Sequence, residues 1–244
     1  QSAPDEHPYL RPHHLDLALI SSTGSVRSVP AMIEDVSATV PAAEGGAVPV
    51  FVFPNLGDHG YAKFTLDGAS VAYAAENLGS IGDGLLRQQV WASLYEMVRD
   101  GALTSLRYLE LVDRHLPAEK SLPVVDMVTA TVGGVIGRFV PEERIDAAAS
   151  AFVATATRAI AAAPAGDARV LWARALLAVA VTPEDAAAAA QLVDRPPAGL
   201  AVDQDMRWSV AVRCASLGIE GSDARLAAER ERDPSDRGER MMVT

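Results

Sequence analysis

The chain has 244 residues, of which 49% are hydrophobic, 22% are charged and only 5% are aromatic. This composition excludes an intrinsically disordered chain, and a single cysteine, Cys214, excludes a disulfide scaffold and a four-cysteine zinc site. The formal net charge of -11 disfavours nucleic acid as a partner, because the basic residues do not cluster in the sequence. A length prior of about 150 residues per domain allows one or two domains.

Hydropathy predicts no membrane partner, since no apolar stretch reaches the roughly 18 residues that a span needs without interruption. Asp126 interrupts the run from 122 to 136, and Arg174 interrupts the run from 170 to 181. Residues 1–7 lack the basic and apolar regions of a signal peptide, and no initiator Met precedes them. With its lone cysteine, the chain is expected to be cytoplasmic and to be a piece of a longer protein.

Residues 1–66 predict a small β-sandwich domain, because apolar residues from residue 8 onward recur with period two. The residues Ser21–Gly24 predict a hairpin turn, with Gly24 free to adopt a positive φ. The run Val48–Phe53 predicts a strand buried on both faces, in which Pro49 is confined to the start or an edge. The alternating positions are Leu15, Leu17 and Leu19, followed by Val36, Ala38 and Val40.

Residues 67–244 predict a helical domain, because the apolar period changes to 3.6 at Asp67 and Gly, Pro, Ser or Asp occupies each break. Short breaks between short helices favour antiparallel helical pairs stacked side by side, as in an α-solenoid of HEAT-like repeats. The fold class is therefore mainly α with a small β domain. The predicted helices cover residues 86–98, 103–116, 121–139, 141–163, 167–181, 183–193, 205–217 and 222–232, with Gly101 as a C-cap.

Alanine is unusually frequent between residues 147 and 190, including the run Ala186–Ala190. A low-complexity segment is one interpretation. Close-packed helices are favoured over it, because alanine is the best helix former and its small side chain lets helix axes approach each other.

The histidines invite a metal site, but their positions favour a structural interpretation. His13 and His14 are adjacent on a predicted strand and point to opposite faces, so with His7 they indicate a solvated strand start. His59 lies in a glycine-flanked turn, and His115 is explained as a cap near a helix C-terminus.

Other candidate groups also have structural interpretations. The Gly-rich segment 79–84 joins two helices without following a strand, which favours a helix cap over a phosphate cradle. Cys214 is expected in the core, without a histidine placed by sequence to activate it. The same interpretation covers the three tryptophans, Trp91, Trp172 and Trp208.

Charged residues give no catalytic constellation either. The pairs Glu142–Glu143 and Glu184–Asp185 lie in first helical turns, where the helix dipole explains them. The segment Glu229–Arg240 is interpreted as a solvated face, with Pro234 interrupting any helix there. Four arginines are candidates for contacting peptide carboxylates, although exposed helix faces are the favoured position: Arg87, Arg158, Arg169 and Arg174. Catalytic, cofactor-binding and metal-binding residues are therefore all predicted to be absent.

Four segments in fixed order resemble the aminopeptidase N family of zinc metallopeptidases, and most closely its actinobacterial members. The similarity covers roughly His7 to Arg240, across the change from β to α at Asp67. The segments are Arg11–His14, Phe53–Asn55, Tyr61–Asp67 and Trp91–Asp100.

This resemblance implies that the chain corresponds to the region after the family's catalytic domain. That region consists of a β-sandwich and a C-terminal bowl of HEAT-like helices that closes over the active site. The family's Gly-x-Met-Glu-Asn and His-Glu-x-x-His motifs are missing, so the zinc and the catalytic domain would lie upstream in the same chain. The helical domain is expected to be truncated at its C-terminus. We therefore expect an inactive fragment that gates access of peptide substrates to the active site of its parent.

Two other hypotheses stay open. The first is a free-standing α-solenoid adaptor that binds a partner peptide or protein. The second is a self-contained enzyme with an unrecognised site. The coding region upstream of Gln1 separates the first from the fragment, because an in-frame catalytic domain supports the fragment and a start codon supports the adaptor.

Overall fold

A computed structural model describes residues 1–3 and 5–242, which are mainly helical with a small β part, as predicted, and whose strands form a three-stranded sheet. Pro4 in the N-terminal segment and Val243 and Thr244 at the predicted C-terminal end lie outside the described residues. The strands are β1 (His13–Ile20), β2 (Val26–Ile33) and β3 (Phe51–Phe53). The α-helices are α1 (Gly68–Asn77), α2 (Gly84–Arg99), α3 (Ser105–His115), α4 (Leu122–Phe139), α5 (Ile145–Ala162), α6 (Asp167–Val179), α7 (Pro183–Asp194), α8 (Gln204–Ser216), α9 (Ser222–Arg232) and α10 (Asp236–Met241).

The sheet is antiparallel, in the order β2-β1-β3. The predicted hairpin between β1 and β2 is confirmed: Gly24 has φ +84° and its N–H donates to the carbonyl of Ser21. The most buried end of β1 carries Ala18 and Ile20, which lie opposite Phe53 and Phe51. The ring of Phe53 packs near that of Phe64, and the ring of Phe51 near that of Tyr73. At this end of β1, the face with Ala18 and Ile20 is therefore better buried than the predicted face with Leu19.

Two strand predictions are corrected. Val36, Ala38 and Val40 form no strand, because the Asp35 carboxylate accepts from the Val36 N–H and Pro41 begins a 3-10 turn, Pro41–Ala43. The strand predicted over Val48–Phe53 shortens to its last three residues. Val48 is 86% exposed and Pro49 has no N–H for a ladder, so pairing begins after them.

The chain forms two compact units, Gln1–Leu103 and the residues from Thr104 onward. The change from strand to helix does lie at Asp67, whose side chain accepts from the Ser70 N–H at the start of α1. The units divide later than Asp67 because α1 is bonded to the sheet. Ser70 Oγ accepts from the Val52 N–H at 2.9 Å and donates to the Val52 carbonyl at 3.2 Å.

In the second unit the predicted helices are found with small shifts at their ends. α4 and α5 pack on α6, and α7 and α9 pack on α8. The alanine run 186–190 lies in α7, where Ala186 and Ala189 are buried, so it is helix core. A helix that the sequence did not predict, α10, follows Pro234.

Two loops of the second unit are joined to each other. The Gly166 N–H, between α5 and α6, donates to the Gly199 carbonyl, between α7 and α8, at 2.9 Å. The Arg169 guanidinium donates to carbonyls in both loops, those of Ala163 and Ala198. A Cβ at position 199 would overlap the Cβ of Ala165, and Gly199 has a φ of +80°, so only glycine fits there.

Two stretches are long and apolar enough to cross a membrane by length and composition, Leu122–Phe139 and Glu142–Ala162. The expectation that charges break every such stretch was therefore too strict. In each stretch 39% of the most apolar part is buried within the protein, and helices that form a core pass the same test. Their length alone is weak evidence for a membrane.

Candidate functional site

The histidines lie apart from one another or are exposed to solvent. His13 and His14 begin β1 on opposite faces, and His7 is exposed, as the solvated strand start predicts. His59 Nε2 lies 3.8 Å from Asp16 Oδ2, and both side chains are partly exposed. Among residues 1–3 and 5–242, no three His, Cys, Asp or Glu side chains form a group that could hold a metal ion.

The Gly-rich segment caps a helix, as predicted. The Asp83 carboxylate accepts from the N–H groups of Leu85 and Leu86 at the start of α2, the position that a bound phosphate would need. Arg87 donates from the same helix to the carbonyls of Ile81 and Gly82. This loop therefore satisfies its own polar groups.

The predicted core residues are buried. Cys214 is 2% exposed, and burial raises the pKa of its thiol, which makes it a poor nucleophile. Trp91, Trp172 and Trp208 are each at most 3% exposed. Their interpretation as core anchors is confirmed.

The four arginines proposed for peptide carboxylates all contact groups of this chain. Arg87 and Arg169 donate to backbone carbonyls of the loops beside them. Arg158 pairs with Asp113 at 2.8 Å and Arg174 with Asp203 at 2.7 Å. The hydrogen bond that Arg174 donates to the Asp203 carboxylate raises the pKa of Arg174.

Two acids in Glu229–Arg240 are buried, which corrects the interpretation of this segment as a solvated face. Glu229 accepts from Arg207 Nε at 3.0 Å and from Arg232 Nη1 at 3.2 Å, while its side chain is 3% exposed. Asp233, after the end of α9, is buried too. The charges that made the segment look solvated partly neutralise one another inside the unit.

Asp233 fixes the connection from α9 to α10. Its Oδ1 accepts from Ser235 Oγ at 2.5 Å and its Oδ2 from Trp208 Nε1 at 2.9 Å. These two hydrogen bonds, that of Ser235 first, lower the pKa of Asp233. A Cβ at Gly238 would overlap the Asp233 carbonyl oxygen, so the turn requires glycine there. The sequence carries one signal for this contact: a tryptophan expected in the core, Trp208, needs an acceptor for its indole N–H.

A second buried polar centre lies in the first unit. The amide of Asn55 donates to the Gly60 carbonyl at 3.0 Å and accepts from the Gly60 N–H at 2.8 Å. It also donates to Asp58, which has a positive φ of 59°. Gln89 of α2 donates to the Asn55 carbonyl at 2.8 Å. Asn55 therefore orders the loop before α1, a role that composition alone does not reveal.

A groove of about 1,030 Å³ lies in the second unit, lined by residues of α7, α8 and α9. Four arginines and three acids line it, together with small apolar residues. Among the lining residues, Cys214 was expected in the core, and Glu229 and Arg232 belong to the segment expected to be a solvated face. The charged lining residues are Asp194, Arg195, Arg207, Glu220, Arg225, Glu229 and Arg232.

Comparison with known proteins gives two matches. Residues 51–244 match the family described as the ERAP1-like C-terminal domain. Aminopeptidase N of Streptomyces lividans is 34% identical over 245 residues, and this match covers 97% of the chain. The chain spans only 28% of the length of that relative.

Proposed function

Since the chain belongs to the ERAP1-like C-terminal domain family, as a C-terminal region of an aminopeptidase N family protein, we propose that it shapes and gates the active site of a zinc-dependent aminopeptidase. The parent enzyme would release N-terminal amino acids from peptides. One observation carries this proposal: the match covers nearly all of this chain but only 28% of the relative, which leaves most of the relative for a catalytic domain.

In this proposal the zinc ion binds the catalytic domain of the parent enzyme, upstream of this chain. The described residues offer no group of three side chains that fits a metal ion, so they do not fit a catalytic zinc centre. When bound to the parent, zinc would activate water and polarise the scissile carbonyl. No step of that chemistry is assigned to this chain.

The proposed architecture is a β-sandwich followed, near Asp67, by HEAT-like antiparallel helical pairs. The three-stranded sheet would be part of the sandwich. The joined loops support the repeats, because the α5–α6 loop and the α7–α8 loop meet through Gly166 and Gly199. Hairpins stacked side by side in one orientation bring alternate loops together in this way.

Gating would follow from such a helical wall. A concave wall over a catalytic centre limits the length of the peptide that enters, excludes water and contacts residues beyond the scissile bond. We also propose a cytoplasmic location, since Cys214 is the one cysteine and is a free thiol.

Assays with the purified chain test the proposal. We expect no hydrolysis of aminoacyl-coumarin substrates with or without added zinc, and robust chelator-sensitive turnover would contradict it. A second experiment compares an upstream catalytic domain, where the genome encodes one in frame, with and without this chain. The chain should change the dependence of kcat/KM on peptide length and leave the aminoacyl-coumarin substrate nearly unaffected.

The alternative, a free-standing adaptor that binds a partner peptide, is favoured by the groove between α7 and α9. A start codon in place of an upstream catalytic domain would support it.

A further inference from the structure

The groove in the second unit is large enough to hold several residues of a peptide. Its volume of about 1,030 Å³ lies at the upper end of small-molecule pockets. α7 and α9 form the walls, and α8 contributes Arg207 and Cys214. The question of what it binds goes beyond the proposed function and concerns this chain alone.

The charge of the groove differs from that of the whole chain. Four arginines and three carboxylates line it, whereas the chain has a net charge of -11. Elsewhere in the unit, Arg158 and Arg174 each pair with one carboxylate, that of Asp113 and that of Asp203. In the groove, Arg207 and Arg232 share the single carboxylate of Glu229. This leaves one positive charge uncompensated at that position.

Arg195 adds a second cation to the groove. Its guanidinium has no hydrogen bond or ion pair with any described residue, and it is exposed. Glu220 is likewise without a partner in the described part of the chain. Arg225 is already held by both oxygens of Asp194, which raises its pKa.

The arginines keep donors available for a ligand. Each guanidinium has five N–H groups, and the contacts of Arg232 in the described residues use one of them, on Nη1. Its side chain is 64% exposed, and that of Arg207 is 32% exposed. Neutralising the buried Glu229 would require only one of these two arginines.

Small apolar side chains lie between the charged ones. Val202 and Ile219 are partly exposed at the groove, and Ala187, Ala190 and Ala228 leave room beside them. A ligand that complements this lining carries both carboxylates and apolar groups. An extended polypeptide with acidic and apolar side chains has that chemistry.

We propose that the groove between α7 and α9 binds an extended acidic polypeptide segment through its side-chain carboxylates. One carboxylate pairs with Arg195 and another with the Arg207–Arg232 pair. Apolar side chains of the segment contact Val202 and Ile219.

Fluorescence anisotropy with the whole chain tests this. The probe is a labelled nonapeptide of alternating glutamate and valine, amidated at its C-terminus so that only side chains supply carboxylates. The reference probe replaces each glutamate by glutamine. We expect the glutamate peptide to bind at least about tenfold more tightly at low salt, since several charge-assisted contacts are lost in the reference. Equal binding of the two peptides, or no binding of either, would overturn the proposal.

Variants locate the site. Arg195→Ala removes a guanidinium that holds no part of the fold, and one exposed ion pair is worth up to about 1 kcal/mol, or about fivefold in affinity. Arg138→Ala is the matched control, because Arg138 is exposed on α4, outside the groove, and has no partner among the described residues. Weakening by Arg195→Ala alone supports the proposal. An equal loss in both variants would show general attraction to positive charge and would refute it.

Discussion

The two units are held together differently. In Gln1–Leu103, the side-chain amide of Asn55 and the hydroxyl of Ser70 order the chain around a short sheet, whereas from Thr104 onward the helices pack through buried valine and alanine side chains. Asn55 binds Gly60 in the first unit, and Ser70 binds the edge of β3. In the second unit, Val128, Val132 and Val135 are fully buried in α4. The comparison teaches that removing one polar group should disturb the first unit most, and removing volume should disturb the second.

The largest effect is expected from Trp208→Ala in the second unit. Trp208 is 1% exposed, so truncation leaves a large cavity and should lower the free energy of unfolding by about 3–5 kcal/mol. Urea unfolding followed by circular dichroism measures it. Trp208→Phe is the control that keeps most of the volume while removing the indole N–H, and it should cost clearly less. Equal losses in the two variants would mean that the hydrogen bond to Asp233 outweighs packing.

A smaller effect is expected from Asn55→Ala in the first unit. The substitution leaves the Gly60 N–H without its acceptor and should cost about 1–3 kcal/mol. Hydrogen exchange should show faster exchange of the Gly60 amide. Gln88→Ala on the neighbouring α2 is the control, expected to stay within about 0.5 kcal/mol. An unchanged Gly60 exchange rate would remove the evidence that Asn55 orders this loop.

The smallest effect concerns acid. Hydrogen bonds lower the pKa of Asp233 below its ordinary value of about 3.9, so its folded state binds the proton more weakly than its unfolded state. The stabilisation is therefore fully present above that ordinary value and is lost as the pH falls through the lower folded pKa.

Unfolding free energies measured between pH 6 and pH 3, a range chosen to span the ordinary carboxyl pKa of about 3.9, should decline less steeply for Trp208→Phe than for the parent chain. Trp172→Phe, which keeps the Asp233 contact, should retain the parent slope. The same slope in all three proteins would show that the indole N–H does not shift this titration.

The helices could be predicted because their signals are local. Four helices, α2, α3, α7 and α8, begin at a residue whose side chain caps the helix N-terminus, and Pro183 lies in the first turn of α7. In chain order the capping residues are Asp83, Thr104, Thr182 and Asp203. Strand pairing depends on residues far apart in sequence. The apolar residues alternate along Val36–Val40, but this segment pairs with no described strand. The sheet prediction was therefore less accurate than the helix prediction.

The polar centres could not be predicted for a related reason. Glu229 meets Arg207 22 residues earlier, and Trp208 meets Asp233 25 residues later. A charge-rich stretch with few apolar residues is normally solvated, and only the fold shows that two of its acids are buried. The groove arginines likewise come from α8, from α9 and from the position just after α7, and carry no motif.

The hydrogen bond from the Gly166 N–H to the Gly199 carbonyl limits where residues can be inserted into this protein. A tag, reporter or inserted domain in either loop would separate the Gly166 N–H from the Gly199 carbonyl and disturb four helices at once. The turn Ser21–Ser25 is the better insertion point, because the hydrogen bonds it makes among described residues stay within its own five residues. A fluorophore introduced there would report on the protein without touching its helices.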